Sequence, residues 1–389
     1  MPTTDTITER ADRLAARLAP RAQEAEELRR LPEATIDDYL ATDLARVLVP
    51  RRWGGAEAGA IDLLESARLL AHGGCTSSAW VLTFFALHNW MATLYPEETQ
   101  AELLGGDEPF LAPAPLAPTG RAIPDGDGFV VSGRWSWASG VMHSNWVIVG
   151  AIAGPDDAPF PALVLMPRSA VTVEDVWHTS GMRGTGSNDV IATTVHVPAR
   201  YALSVRDMYR GTTPGGALHD SAIYRWPLVP LLALAAAMPA LGTAEYLLER
   251  FSERLSERVA VYSGGSHKER PAAQMRLGQA TVRLDAARDL ALSTAARIQA
   301  IVEGGEHVGR GERARARLAA GHVVLESRRV IDHLVEASGG SAHFMTAPFQ
   351  RAQRDVNTLA GHVIFDYDVS TEMVGALAVG LKLPPTALV

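Results

Sequence analysis

The sequence predicts an α+β fold in three segments, helices, then strands, then helices, and three observations carry that prediction. Apolar residues recur at helical spacing in the first third, as at Ala11, Leu14, Ala15 and Leu18. Between about residues 109 and 200 the texture changes to short β-rich runs separated by Asp-Gly, Gly-Pro and Pro-Arg turns. From about Ala222 the helical period returns, and Leu277, Ala280, Leu284, Ala287, Ala291, Ala295 and Ile298 form a near-heptad stripe suited to a long bundle helix. At 389 residues and 47% apolar composition the chain can bury a large core divided among two or three subdomains. The expected boundaries are an N-terminal helical domain at 1–108, a central β domain at 109–215 and a helical bundle at 216–389.

Taken in order, the first helices restart after Pro20 and Pro32, where proline suits a first helical turn. Trp53-Gly54-Gly55 ends that run, and a helix is predicted from about Ile61 to His72. After Gly73-Gly74, residues Thr76, Ser77 and Ser78 offer an N-cap for the next helix, which carries His88. Strands are predicted at 128–132, 146–153, 162–166, 171–176 and 190–197. The clearest loop is Gly211-Thr212-Thr213-Pro214-Gly215-Gly216. The two most apolar stretches, Ser78 to Leu94 and Trp226 to Leu241, are interrupted by His88 and Asn89 or by Pro227, Pro230 and Pro239. They read as buried core helices rather than membrane spans.

The net charge of −8 arises from 44 acids against 36 bases with no basic stripe, so a nucleic-acid partner lacks its electrostatic footprint. The opening MPTTDTITERADRLAARL has no apolar core of the signal-peptide kind, and one cysteine forms no internal disulfide, which points to a reducing cytoplasm. The common nucleotide, zinc and nucleophile-elbow motifs are absent. The twelve histidines are dispersed, His362 with Asp366 being the nearest to a ligand spacing, so no metal is expected.

Four stretches carry a resemblance. Val49-Pro50-Arg51-Arg52-Trp53-Gly54-Gly55 is similar to a P-x-x-[YW]-G-G loop, and the segment from Trp177 through Gly181-Met182-Arg183-Gly184-Thr185-Gly186-Ser187 to W-x-x-x-G-M-R-G-T-x-S. A third runs from Arg258 through Gln274 to Ala287-Arg288, and a fourth joins Gly339-Gly340-Ser341 to Arg354-Asp355. Together, over nearly the whole chain, they resemble the acyl-CoA dehydrogenase superfamily. That resemblance implies an N-terminal helical domain, a central β-barrel-like domain and a C-terminal four-helix bundle, assembled as a homotetramer or dimer, with flavin between the β domain and the bundle. It places Trp137, Ser139, Thr185 and Ser187 along the isoalloxazine. Arg258, Gln274 and the Gly339-Gly340 loop, often from a neighbouring subunit, would meet the flavin tail, where arginine and backbone N–H groups suit phosphates.

An acyl-CoA dehydrogenase needs a carboxylate base shortly after the terminal R-D. Here Arg354-Asp355-Val356-Asn357-Thr358-Leu359-Ala360-Gly361-His362-Val363 brings a histidine and no Glu-Gly. Other features resemble the two-component aromatic hydroxylases of the superfamily, which take FADH2 or FMNH2 from a separate NAD(P)H:flavin reductase and use O2 as co-substrate. Leu87-His88-Asn89-Trp90 with Leu94-Tyr95-Pro96 looks like their substrate helix, and Ser132-Gly133-Arg134-Trp135-Ser136-Trp137-Ala138-Ser139-Gly140 like their S-G-x-W-x-[FW]-x-S-G strand. His362 falls where they carry a histidine near the flavin.

In that chemistry a flavin C4a-hydroperoxide delivers oxygen to a phenol, indole or fused aromatic, in tailoring or breakdown of a natural product. The resemblance makes His88 the base at a phenolic OH, Ser139 the acceptor of the flavin N5 hydrogen, and His362 a partner of the oxygen left behind. Phe84, Phe85, Trp90, Trp137 and Met142 would wall a dry pocket. Each assignment has a plainer counterpart: a histidine among Phe84, Phe85 and Met91, or in a bundle, is commonly a satisfied core residue, Ser139 can initiate a turn, and Trp137 can be β-domain core. The small-phenol hydroxylases tend to carry a serine near Ala112-Pro113-Ala114, which is missing here and favours a larger or less acidic substrate. The rival activities are oxygenation of an amine or sulfur, which needs no phenol-activating base, and acyl-CoA dehydrogenation from a relocated base; a flavin-binding scaffold without activity is the third.

Overall fold

The computed structural model describes residues 5–257, 267–384 and 387–389; Arg258, assigned above to the flavin tail, lies outside the described residues. Helix α1 (Ile7–Leu18) starts at Thr6, whose hydroxyl accepts from the Glu9 amide while the Glu9 carboxylate accepts from the Thr6 amide. Its buried face is the stripe Ala11, Leu14, Ala15 and Leu18. Helices α2 (Ala22–Leu28), α3 (Glu33–Leu40), α4 (Ala60–His72), α5 (Thr76–Ala92) and α6 (Glu97–Leu104) complete the first segment. The Trp-Gly-Gly loop is tied down through Gln100, whose Oε1 accepts from the Trp53 indole at 3.0 Å while its amide serves the Thr93 and Tyr95 carbonyls at 2.7 and 2.9 Å.

The central segment is one seven-stranded mixed sheet of order β5-β6-β2-β1-β3-β4-β7. Its strands are β1 (Gly120–Asp125), β2 (Gly128–Ala138), β3 (Trp146–Ala153), β4 (Phe160–Pro167), β5 (Thr172–Glu174), β6 (Asn188–Pro198) and β7 (Ala202–Ser204). Only β1 with β3 is parallel. The five expected strands are β2 to β6. Strand β1 carries Gly120 and Pro124 in place of apolar alternation, and β7 has three residues, so neither raises a strand signal.

Past the short α7 (Val205–Arg210), helices α8 (Leu228–Glu257), α9 (Pro271–Glu303), α10 (Arg310–Ser338), α11 (Pro348–Ala360) and α12 (Tyr367–Ala378) form the bundle, and α10 touches each of the other four. Helix α8 is long and apolar enough to cross a membrane, yet 94% of its apolar window is buried inside the protein. From the α9 stripe Ala280, Leu284, Ala287, Ala291, Ala295 and Ile298 are buried. A half-buried charge network fastens α4 to the bundle: Glu65 accepts from Arg68 at 2.9 Å and from Arg288 at 2.6 Å, and Arg68 reaches Glu245 at 2.7 Å.

The three segments meet at Arg354 and Asp355 on α11. Arg354 pairs with Glu26 of α2 at 2.6 Å and donates to the Ser180 carbonyl. Asp355 accepts from the Met182 amide at 2.6 Å. Gly181 lies so close to α11 that a β-carbon there would overlap the Arg354 carbonyl, a backbone group unable to step aside. Gly181→Ala is therefore expected to cost about 1–3 kcal/mol, as overpacking does, read as a lower urea midpoint at unchanged slope. A midpoint equal to the wild type would show that the loop and helix can part without penalty.

Candidate active site

Residues four apart on a helix share a face, and on α5 that spacing lines up Trp80, Phe84 and His88. The Trp80 and Phe84 ring centroids are 4.6 Å apart and those of Phe84 and His88 5.4 Å. All of α5 is buried except Phe84, so the face opens at that ring. His362 stands edge-on to Trp80 at 5.8 Å and also touches Phe365, at 5.9 Å.

The end of β2 approaches the same face. A register shift against β6 between Trp135 and Ala138 breaks the alternation, and Trp137 takes a left-handed φ of 66°, a conformation that costs a non-glycine residue about 1–3 kcal/mol. Its carbonyl accepts from the Ser139 amide at 2.9 Å. The kink turns the Trp137 indole outward, 69% exposed, and brings Ser139 under α5, where the Trp80 indole N–H donates to its Oγ at 3.2 Å. Gly140 follows with φ +79° against Phe85 and Val81, a place with no room for a side chain. From the end of β2 the hydroxyls continue into the loop between β5 and β6, Ser139 to Ser187 at 2.7 Å and Ser187 to Thr185 at 2.6 Å.

The two histidines are held as opposite tautomers. His88 Nδ1 is 2.5 Å from the Ala112 carbonyl, which can only accept, so Nδ1 carries the proton and Nε2 presents a lone pair. His362 Nδ1 accepts from the Ile364 amide at 3.2 Å, so in the neutral ring the proton sits on Nε2. Burial pushes His88 down to about 4 against the Ala112 hydrogen bond. His362 is pushed down to about 4 by burial and then by the Arg317 guanidinium, which clamps the Val363, Ile364 and Leu388 carbonyls at 2.7, 3.1 and 2.9 Å. Asp355 moves the other way, raised to about 6 by burial that outweighs the Met182 amide and Arg351.

Of the residues predicted from sequence, His88, Phe84, Trp137, Ser139, Thr185, Ser187 and His362 thus surround the junction of α5, β2 and the loop before α12. Trp90 does not join them, which corrects its assignment to the pocket wall. Six positions beyond Phe84, at about 100° per residue, it points to the far side, fully buried with its N–H on the Ile223 carbonyl at 3.0 Å. Phe85, adjacent to Phe84, is likewise fully buried, packed beneath Gly140. Met142, an exposed side chain, lines a cavity of about 210 Å³ with Leu28, Arg29, Arg30, Arg168, Asp175 and Asn188, and its Cγ lies against Gly186 between Thr185 and Ser187. Gln274 and Gly339-Gly340 are exposed at the bundle end where α9 begins and α10 stops. Trp80 and Arg317 escaped the sequence reading, and Met182 entered it only as part of a motif; the i, i+4, i+8 series ending at His88 was the available signal for Trp80.

These groups fit a flavin ring: Ser139 has a hydroxyl lone pair to spare beside an outward-facing indole, and the donors around it are neutral. The model of the family described as acyl-CoA dehydrogenase, C-terminal domain, matches residues 234–367. The chain is 31% identical over 380 residues to the flavin-dependent monooxygenase oxygenase subunit HsaA of Rhodococcus jostii (strain RHA1), covering 97% of this chain and 99% of that protein. The crystal structure of 3-HSA hydroxylase from Rhodococcus sp. RHA1 superposes with a TM-score of 0.93 at 30% identity over 99% of both chains. XiaF from Streptomyces sp., solved with FADH2 and glycerol, superposes with a TM-score of 0.89 at 25% identity over 97% of this chain and 96% of its own.

The imidazole shifts set a pH dependence. A folded pKa of about 4 for His88, against about 6.5 unfolded, means that the unfolded chain takes up the proton first. Stability is therefore fully present above about pH 6.5 and is lost as pH falls toward 4. His362 adds in the same sense. Asp355 opposes them, the folded state binding its proton first between about pH 6 and 4. His88→Gln should narrow the difference in melting temperature between pH 7.5 and pH 5, and Asp355→Asn should widen it; equal differences in all three proteins would refute the assignment.

Proposed function

The chain belongs to the oxygenase subunits of the flavin-dependent monooxygenases, built on the acyl-CoA dehydrogenase fold, and from that premise we propose that it hydroxylates a flat aromatic molecule, a phenol, indole or fused ring. Its reduced flavin comes from a separate NAD(P)H-dependent reductase. Reduced flavin and O2 together supply an electrophilic oxygen atom. The observation that carries the proposal is the pair of neutral imidazoles with opposite tautomers at the two ends of the Trp80 and Phe84 rings.

The substrate ring packs on Phe84, the one accessible ring of α5, with its hydroxyl toward His88. At neutral pH the low pKa of His88 leaves Nε2 free to accept that hydrogen bond, and as negative charge grows on the ring the proton moves toward the imidazole. His362 Nε2–H would be a neutral donor on the side where the flavin would be held. Ser139 accepts the flavin N5 hydrogen, and Trp137 covers the ring with its exposed face. Gln274 and Gly339-Gly340, exposed at the end of the bundle, meet the flavin tail of a neighbouring copy in a tetramer or dimer.

Anaerobic protein with reduced FAD or FMN, mixed with oxygenated buffer, should return oxidised-flavin absorbance only after a lag that free flavin lacks. Immediate return, with stoichiometric peroxide, would overturn the proposal. With an aromatic substrate, His88→Ala should lower product formation by about 10²- to 10⁴-fold, the range for loss of an acid–base group, while keeping the lag. Unchanged turnover would shift the reading to attack by an amine or sulfur lone pair.

A further inference from the structure

The hydroxyls beside Ser139 can be ordered by counting protons. Ser139, Ser187 and Thr185 have one hydroxyl proton each, and Thr185 Oγ1 also lies 2.8 Å from the Met182 carbonyl, which has none to give. The Thr185 proton therefore goes to Met182, that of Ser187 to Thr185, and that of Ser139 to Ser187. At the other end the Trp80 indole, a donor only, occupies one Ser139 lone pair at 3.2 Å. The reverse order would set Thr185 Oγ1 and the Met182 oxygen 2.8 Å apart with no proton between them, lone pair against lone pair. Thr185 and Ser187 are buried, where that repulsion is strongest. The Met182 end cannot give way, because Asp355 holds its amide and the Trp177 indole shares its carbonyl at 2.9 Å.

We infer that this ordered row keeps Ser139 an acceptor toward the flavin, so that Thr185 and Ser187 act as positioning residues through which the site selects reduced over oxidised flavin. The inference rests on the reading that Ser139 faces N5. Reduced flavin carries a hydrogen on N5, which the remaining Ser139 lone pair accepts. Oxidised flavin carries a bare lone pair there, and Ser139 has no proton left to offer it. The same row thus favours capture of the reduced cofactor and release of the oxidised one after turnover.

The test is the pair of dissociation constants for FAD and for anaerobically reduced FAD, measured on the wild type and four variants. The wild type should bind the reduced form more tightly. In Thr185→Val the Ser187 proton has only Ser139 left to meet, so the row reverses and Ser139 donates toward N5. Oxidised FAD should then tighten, reduced FAD weaken, and their ratio fall about tenfold, the scale of one hydrogen bond. Thr185→Ser, which keeps the hydroxyl, should restore the wild-type ratio. Ser187→Ala frees the Ser139 proton and should lower the ratio as well, which provides a second reading if Thr185→Val folds poorly. Ser139→Ala should weaken the reduced form alone. If Ser139→Ala leaves both constants unchanged, the contact with N5 is wrong. If Ser139→Ala weakens reduced FAD while Thr185→Val and Ser187→Ala keep the wild-type ratio, the contact stands and the ordering is overturned.

Discussion

The hydrogen bond from the Met182 amide to the buried Asp355 carboxylate joins the bundle to the loop that follows β5. Removing that carboxylate would leave a left-handed, non-glycine peptide at Met182 without its main restraint. The Met182 carbonyl would then no longer be a fixed acceptor for Thr185 and Trp177. Arg354, one residue earlier, holds Ser180 and Glu26 from the same helix, so the loop is gripped on both flanks. The cost appears in Asp355 itself, whose burial raises its pKa toward neutrality. A buried charge kept against that penalty is a positional device more than a source of stability.

Burial has a second use at the histidines. An imidazole in water would be partly protonated near neutral pH, and a protonated His88 could accept nothing. Enclosing it in α5 and giving Nδ1 to the Ala112 carbonyl removes both ambiguities, charge and tautomer. For His362 a main-chain amide and the adjacent Arg317 have the same effect with the ring reversed. Neither arrangement needs a carboxylate partner, and each side chain is aimed by backbone groups rather than by mobile neighbours.

Much of the architecture was legible in the sequence because it rests on periodicity. The α1 and α9 stripes are the buried faces of those helices, and the five strands with apolar runs are present. Strands β1 and β7 were hidden because pairing partners, not their own side chains, define them. At the site, motifs named residues that the fold brings to one junction, Phe84, His88, Ser139, Thr185, Ser187 and His362, whereas facing direction was not legible. Trp90 shares a tetrapeptide with His88 but not a side of the helix. The Arg354-Asp355 pair was visible as a motif, but its partners in the loop after β5 lie 173 and 174 residues earlier and Glu26 earlier still, separations at which no local pattern signals contact.

That separation bears on how the protein is made. Chains are synthesised from the N-terminus and domains tend to fold as they emerge, with long-range contacts the last to form. Strand β2 with Ser139 just past its end, and the loop from Trp177 to Ser187, leave the ribosome long before α11 does. Until that late helix docks, Met182 has no carboxylate to hold it and the row of hydroxyls has no fixed end. The row of hydroxyls therefore gains its fixed end only once α11 has been made, after the sheet and helices α8 to α10 have been synthesised.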